Sequence, residues 1–267
     1  MLAHLKWGFG NKLMMFLYAV HEFKKEKSNK LYIVQQDSQH DSGTPEESFL
    51  YIFPKLREVD WLEFISWKKY DSLKEDNTEL EMNSGEKWFT NKNILDLKSF
   101  IKTYMKLNPV YKSLDKKYDF SGLALHIRYG DKLSMNRQRI KKGLKPQYVV
   151  LKPEYYIDHA KFDGPIYIFT DSPDIVRKTI LPHLKNAVIC DEKYPETFYL
   201  LTKIRHQVIS DSTMSICAGY FAQILSTKKF EIVAPDFVIN VNTLKLMHNL
   251  FHDDGYFIEE TNKKYIL

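Results

Sequence analysis

Between Leu123 and Asp131 the chain reads LALHIRYGD. An apolar run suited to a buried strand ends on a histidine, an arginine, a glycine and an aspartate. Strand alternation puts His126 and Arg128 on one side, so both can project toward one ligand. Arginine keeps its charge at any ordinary pH and offers a rigid fork of donors matched to phosphate. The plain alternative is a surface arginine pairing with Asp131. Two more polar clusters follow apolar runs: FTDSP at 169–173 and SDSTMS at 210–215. Asp171 or Ser172 can cap a helix opened by Pro173. Ser212, Thr213 and Ser215, with the amides of a helix start, suit either a cap or an anion site. Gly8-Phe9-Gly10-Asn11-Lys12 also joins a strand to a helix, but it lacks the third glycine of a dinucleotide fingerprint.

The elements around these clusters follow from hydrophobic spacing. MLAHLKW reads as a strand, KLMMFLYAVHEFKKEK as a helix with a basic end, and LYIVQQ as a second strand. This β–loop–α–β opening is the unit that builds parallel sheets. From about residue 37 to 120 the pattern is looser. DSQHDSGTPEES is a loop by composition, helical pieces fall near 46–57 and 92–106, and a Trp- and Tyr-bearing segment lies between them. Asn108-Pro109 and the polar DKKYD before Phe120 mark a domain junction.

The second half alternates regularly. GLALHI, PIYIFT, NAVIC, HQVIS and KFEIVAP read as strands. PEYYIDHAKF, PDIVRKTILPHL, PETFYLLTKIR and STMSICAGYFAQIL read as the helices between them. Short connections and strict alternation predict a doubly wound α/β domain. Such sheets bind ligands at the carboxyl ends of their strands, where every polar cluster named above falls. The expected division is an acceptor-side domain over 1–120, a Rossmann-like domain over 121–240, and a helical tail over 241–267 packing back. Lys132 to Lys145 reads as a basic loop carrying Arg137, Arg139, Lys141 and Lys142, and Asp253-Asp254-Gly255 as a polar turn.

Composition narrows the function. The chain is 44% hydrophobic and 27% charged, which is ordinary globular material. A net charge of +5, from 39 basic against 34 acidic residues, suits small anionic ligands and makes no case for nucleic acid. Cys190 and Cys217 form neither a disulfide framework nor a metal-ligand spacing. No run approaches the ~20 apolar residues of a transmembrane segment, and no signal-peptide pattern opens the chain. The expectation is a soluble, cytoplasmic protein. His-Glu-x-x-His, Gly-x-Ser-x-Gly, Gly-Lys-Ser/Thr and Asp-x-Asp are all missing, which leaves zinc peptidase, serine hydrolase and metal-diphosphate chemistry without their residues.

Taken in order, Gly-x-Gly-Asn, His-x-Arg-x-Gly-Asp, Thr-Asp and Ser-Asp-Ser-Thr-x-Ser resemble the fucosyltransferases that include the alpha-1,2 enzymes. They are more distantly similar to the alpha-1,6 and protein-O-fucose enzymes. That family reads Gly-Gly-x-Gly-Asn-Gln, His-x-Arg-Arg-Gly-Asp and Asn-Ser-Thr-Phe-Ser-Trp-Trp at the first, second and last of these places. The resemblance runs from Gly8 to Pro235 and implies a GT-B fold, an α/β arrangement of two Rossmann-like domains facing across a cleft. It implies transfer of fucose from GDP-fucose to a glycan acceptor with inversion and without a metal or other cofactor. By position, Arg128 would grip the diphosphate and stabilise the departing GDP, with Asp131 or Asp41 as candidate bases. His126 would lie against the nucleotide, Asp171 on the donor side, and Ser212, Thr213 and Ser215 on phosphate. Glu196 would read the guanine edge, while Gly8, Gly10 and Asn11 would line the cleft. Tyr129, Lys12, Asp211 and Ile216-Cys217 depart from the pattern. They leave open another nucleotide sugar, such as a rhamnosyl donor, or a non-catalytic nucleotide- or glycan-binding relative.

Overall fold

The computed structural model describes residues 1–26, 28–36, 48–80, 97–146 and 148–235, together with the backbone of 256–259. The chain divides into two compact units, Met1–Val110 and Tyr111–Leu267.

The first unit is built on three parallel strands in the order β1-β2-β3: β1 is Leu2–Leu5, β2 is Leu31–Gln35 and β3 is Leu62–Phe64. Helix α1, Phe9–Glu26, joins β1 to β2 and buries Leu13, Phe16, Leu17 and Val20, which recur at helical spacing. Lys24 and Lys25 fall in its last turn, where cations oppose the helix dipole. Short helices α2 (Phe49–Ile52), α3 (Trp67–Leu73) and α4 (Lys98–Tyr104) complete the unit. Its core is aromatic. Phe49 is fully buried, with ring centroids 5.4 Å from Phe16, 5.8 Å from Phe53 and 6.2 Å from Phe64.

The second unit carries an all-parallel sheet in the order β6-β5-β4-β7-β8-β9. The strands are β4 Leu123–Ile127, β5 Ile166–Thr170, β6 Ala187–Ile189, β7 His206–Ile209, β8 Glu231–Pro235 and β9 Tyr256–Glu259. Renumbered within the unit, this is the 3-2-1-4-5-6 order of the doubly wound dinucleotide folds. All five residues of β4 are buried, as a central strand covered on both faces requires. The intervening helices are α5 (Gly130–Lys141), α6 (Pro153–His159), α7 (Pro173–Thr179), α8 (Tyr194–Leu201) and α9 (Thr213–Leu225).

Three expectations need correcting, and one strand was not foreseen. The junction falls after Val110 and not at 120, because Tyr111 packs on Tyr199 and Tyr118 on Tyr167, with centroids 5.7 and 4.9 Å apart. The basic loop after Lys132 is largely helix α5. It ends in a Schellman turn, with Gly143 at φ +71°, its N–H donating to Ile140 and the Leu144 N–H donating to Arg139, both at 2.9 Å. In the tail, Tyr256–Glu259 is a strand paired with β8 and not a helix. Strand β3, only three residues long, was hidden because so short a run shows no alternation. Asp41, Asp253-Asp254 and the rest of 241–267 lie outside the described residues. No helix among the described residues is long and apolar enough to cross a membrane.

Replacing Phe49 with Ala removes the ring that four other phenylalanines of this unit surround. The expected loss is about 3–5 kcal/mol, read as a lower midpoint in urea unfolding. A shift under about 1 kcal/mol would contradict this packing.

Candidate functional site

The chain reverses its strand order between β4 and β7. Connections leaving these neighbours go to opposite sides, which opens a crevice at their carboxyl ends. Both polar clusters of greatest interest, 126–131 and 210–215, sit there. Sheet register brings a third alongside, since Ile127 pairs with Thr170 and residue 171 therefore lands next to Arg128.

Arg128 is 28% exposed at the side chain and carries two carboxylates. Its Nη2 lies 2.9 Å from Asp131 Oδ1 and its Nη1 lies 3.0 Å from Asp171 Oδ2. The pairing with Asp131 is the plain alternative raised from the sequence. The pairing with Asp171 was invisible there, because it depends on which strands are neighbours. Together the two acids fix the plane of the guanidinium while part of it still faces solvent.

Asp171 does more than pair with Arg128. Its Oδ1 accepts the Tyr129 N–H at 3.0 Å and the Gly130 N–H at 3.1 Å, while the Ser172 hydroxyl lies 3.1 Å from the same oxygen. The Gly130 N–H also reaches Ser172 Oγ at 3.0 Å. Asp171 and Ser172 thus close the amino end of α5 from a neighbouring strand and do not cap α7, whose start shows no side-chain cap. The fit explains Gly130. A Cβ there would stand 2.6 Å from Asp171 Oδ2. Asp171, expected on the donor, is placed by these contacts to orient Arg128 and close the start of α5.

The amino end of α9 is different. Ser212 stands at its N-cap without a side-chain cap bond, and among the described residues the N–H groups of Thr213, Met214 and Ser215 make no hydrogen bond. Such amides, with the aligned dipole of a 13-residue helix, favour an anion. Ser215 itself is fully buried, and its hydroxyl reaches the Ser212 carbonyl at 3.1 Å. It braces the turn from inside.

His126 lies behind this edge. It is 5% exposed, and its Nδ1 is 3.1 Å from the Ser210 hydroxyl. Burial, and then the cations Arg128 and Lys132, push its pKa down to about 3. The imidazole is neutral at any working pH. Lys132, missed from the sequence, crosses from α5 to the loop before α9, where its ammonium pairs with Asp211 Oδ2 at 2.9 Å and also bonds the Asp211 carbonyl. The signal that could have found it is the helical phase after Gly130. Tyr129, at the motif's second-arginine position, is 1% exposed and packs edge-on to Tyr156 at 6.2 Å. Alternation turns this side chain into the core, away from Arg128.

Glu196 occupies the first turn of α8, and its Oε2 is buried without a hydrogen-bond partner among the described residues. Helix α8 packs on α9, with Phe198 and Phe221 centroids 5.5 Å apart. In the first unit, Gly8 accepts the Lys12 N–H at 3.1 Å, so α1 begins at Phe9 and Gly10 and Asn11 belong to its first turn, Gly10 buried and Asn11 half-buried. Among the described residues, no group of three or more His, Cys, Asp or Glu side chains is placed to hold a metal ion.

No protein-family model matches this sequence. No curated protein sequence matches it either. Among solved structures, the chain is similar to a family 9 glycosyl transferase from Veillonella parvula at 8% identity and a TM-score of 0.48, over 87% of this chain and 80% of that one. It is also similar to NodZ alpha-1,6-fucosyltransferase co-crystallised with GDP, at 12% identity and a TM-score of 0.44, over 84% of this chain and 92% of that one. At these values the likeness assigns no activity to this chain.

Two outcomes follow from the geometry. Asp171→Ala strips the amino end of α5 and frees Arg128, and should lower stability by about 1–2 kcal/mol, while Asp174→Ala, on an exposed pair with Arg177, should be nearly silent. Equal effects in the two variants would contradict the brace. His126 supplies a pH dependence whose sign is fixed. Its folded pKa lies below the unfolded value near 6.5, so the unfolded chain takes up the proton first as pH falls. Its contribution is complete above about pH 6.5 and declines toward pH 3, at up to about 1.4 kcal/mol per pH unit. Urea midpoints across that range should fall less steeply in His126→Asn than in the parent chain.

Proposed function

We propose that this protein is a metal-independent, inverting glycosyltransferase that moves L-fucose from GDP-fucose to a glycan hydroxyl, with the alpha-1,2 enzymes as its nearest functional relatives. The GT-B arrangement, two Rossmann-like domains facing across a cleft, is part of the proposal. One observation carries it: the arginine of His-x-Arg-x-Gly-Asp and an uncapped helix start stand together at the switch point of a 3-2-1-4-5-6 sheet. The ordered motifs from Gly8 to Pro235 supply the choice of sugar nucleotide.

The chemistry asks for what these residues provide. As the glycosyl–phosphate bond breaks, negative charge collects on the diphosphate, and fixed donors there lower the barrier. In this reading the amides of residues 213–215 and the Thr213 hydroxyl hold one phosphate. Arg128, aligned by Asp131 and Asp171, meets the leaving oxygen through its solvent-facing part. These groups do the work a divalent cation does in other transferases. Asp131 is then a positioning residue for Arg128 and not a base. His126 presents a neutral, buried ring beneath the nucleotide. Glu196, with a carboxylate oxygen left without a partner among the described residues at a helix start, accepts the N–H edge of guanine.

Arg128→Ala should lower transfer by 10²–10³, on the order of 2.7–4 kcal/mol in activation energy, with an unchanged far-UV spectrum and no sensitivity to EDTA in the parent enzyme. Near-normal turnover in that variant sinks the assignment. GDP at a hundredfold excess over Kd should stabilise the fold by about 2.7 kcal/mol, seen as a rise in Tm, with UDP and dTDP weaker. Glu196→Gln should erase that preference. An equal response to all three nucleotides would turn the reading toward a different donor.

A further inference from the structure

The longest stretch of this chain without an acid is also its most basic. Residues 132–153 hold seven Lys and Arg and no Asp or Glu, against a net charge of +5 for the whole chain, so everything outside the stretch is net acidic. Scattered lysines are ordinary surface, but a run this one-sided sets up a local positive field. Arg137, Lys141, Lys142 and Lys145 stand exposed at the end of α5 and just beyond it, and none of them pairs with an acid among the described residues.

The same end of α5 shows apolar side chains to water. Ile140, at 57%, is the most exposed large apolar side chain among the described residues, and Leu144 is half exposed. Arg137, Ile140 and Lys141 share the outer face of α5 by helical spacing, and Leu144 follows the Schellman turn at Gly143. The residue at Leu144's place ordinarily packs on an apolar side chain one turn back. Here those positions are Gln138 and Arg139, and Leu144 stays in solvent. The turn is nevertheless held. Arg139 Nε donates to the Lys145 carbonyl at 3.0 Å, while the Asn136 side chain donates to the Tyr148 carbonyl at 2.7 Å and accepts its N–H at 3.0 Å. This is a fixed surface and not a fraying helix end.

We propose that the end of α5 is a docking surface for a bilayer of anionic lipid, in which Arg137, Lys141, Lys142 and Lys145 meet the phosphates and Ile140 and Leu144 enter the acyl boundary. Clustered Lys and Arg are drawn to the negative potential of such a membrane, and apolar side chains among them anchor by burial below the headgroups. Charge alone would suit RNA or an acidic glycan as well. Two exposed aliphatic side chains among the bases favour lipid, because a polyanion in water leaves them uncovered. The attachment is peripheral, with the chain lying on the membrane. Gly130 and Ile140 are about 15 Å apart along the helix, so this surface is separate from Arg128, and the proposal does not rest on the transfer reading.

The test is co-flotation of the purified chain with vesicles of phosphatidylcholine alone or with about 30% phosphatidylserine, in about 0.1 M salt. The chain should float with the anionic vesicles, stay behind with the neutral ones, and be released as salt rises to about 0.5 M. Lys141→Gln/Lys142→Gln should weaken binding about twenty- to thirtyfold, from about fivefold for each charge removed. Ile140→Ser/Leu144→Ser should weaken it about tenfold or more. All four side chains are exposed, so far-UV spectra and Tm should stay parental. The matched pair Lys112→Gln/Lys116→Gln, exposed elsewhere in the same unit, should bind as the parent does. Equal binding to both kinds of vesicle, parental binding in Ile140→Ser/Leu144→Ser, or equal losses in the two lysine pairs overturns the proposal. So does tighter binding to single-stranded RNA than to anionic vesicles, which would give the patch to nucleic acid.

Discussion

The carboxylate of Asp171 serves three elements at once. It ends β5, accepts two amides at the start of α5, and pairs with the arginine that leaves β4. Sheet register makes this unavoidable, because Ile127 and Thr170 are partners and the next residues emerge side by side. The consequence is an asymmetry between the two helix starts at the switch point. One is filled by the protein's own anion. The other, before α9, has amides with no hydrogen-bond partner among the described residues.

Charge at this edge is balanced locally. Arg128 meets Asp131 and Asp171, and Lys132 meets Asp211, so neither cation stands uncompensated in a partly dry site. Desolvation and the same two cations keep His126 neutral. In the proposed reading, an incoming phosphate would find donors already oriented. The departure at Tyr129 leaves this arrangement intact. Residue 129 alternates away from Arg128 into the cluster around Tyr155, Tyr156 and Val150, where a ring fills space that a charge would not tolerate.

The first unit achieves rigidity by other means. Phenylalanines at 9, 16, 49, 53 and 64 interlock over one small sheet, and little of that core is polar. The two units differ accordingly: backbone amides and ion pairs shape the edge of the larger sheet, and a buried aromatic cluster underlies the smaller.

Much of this was legible in the residues. Alternating strands and helices after 121 are spelled out by apolar spacing, since each element buries its own face whatever its neighbours are. The chemistry of HIRYGD was legible too, because an always-charged fork at a strand end implies an anion or a carboxylate. What the sequence could not reveal was which carboxylate. Asp171 lies 41 residues from Gly130 along the chain. Nothing local brings them together; strand order does, and so also for Lys132 and Asp211. The closed start of α5 shares that cause. Local spacing chooses the elements, but hydrogen-bonded pairing between distant strands decides which side chains meet.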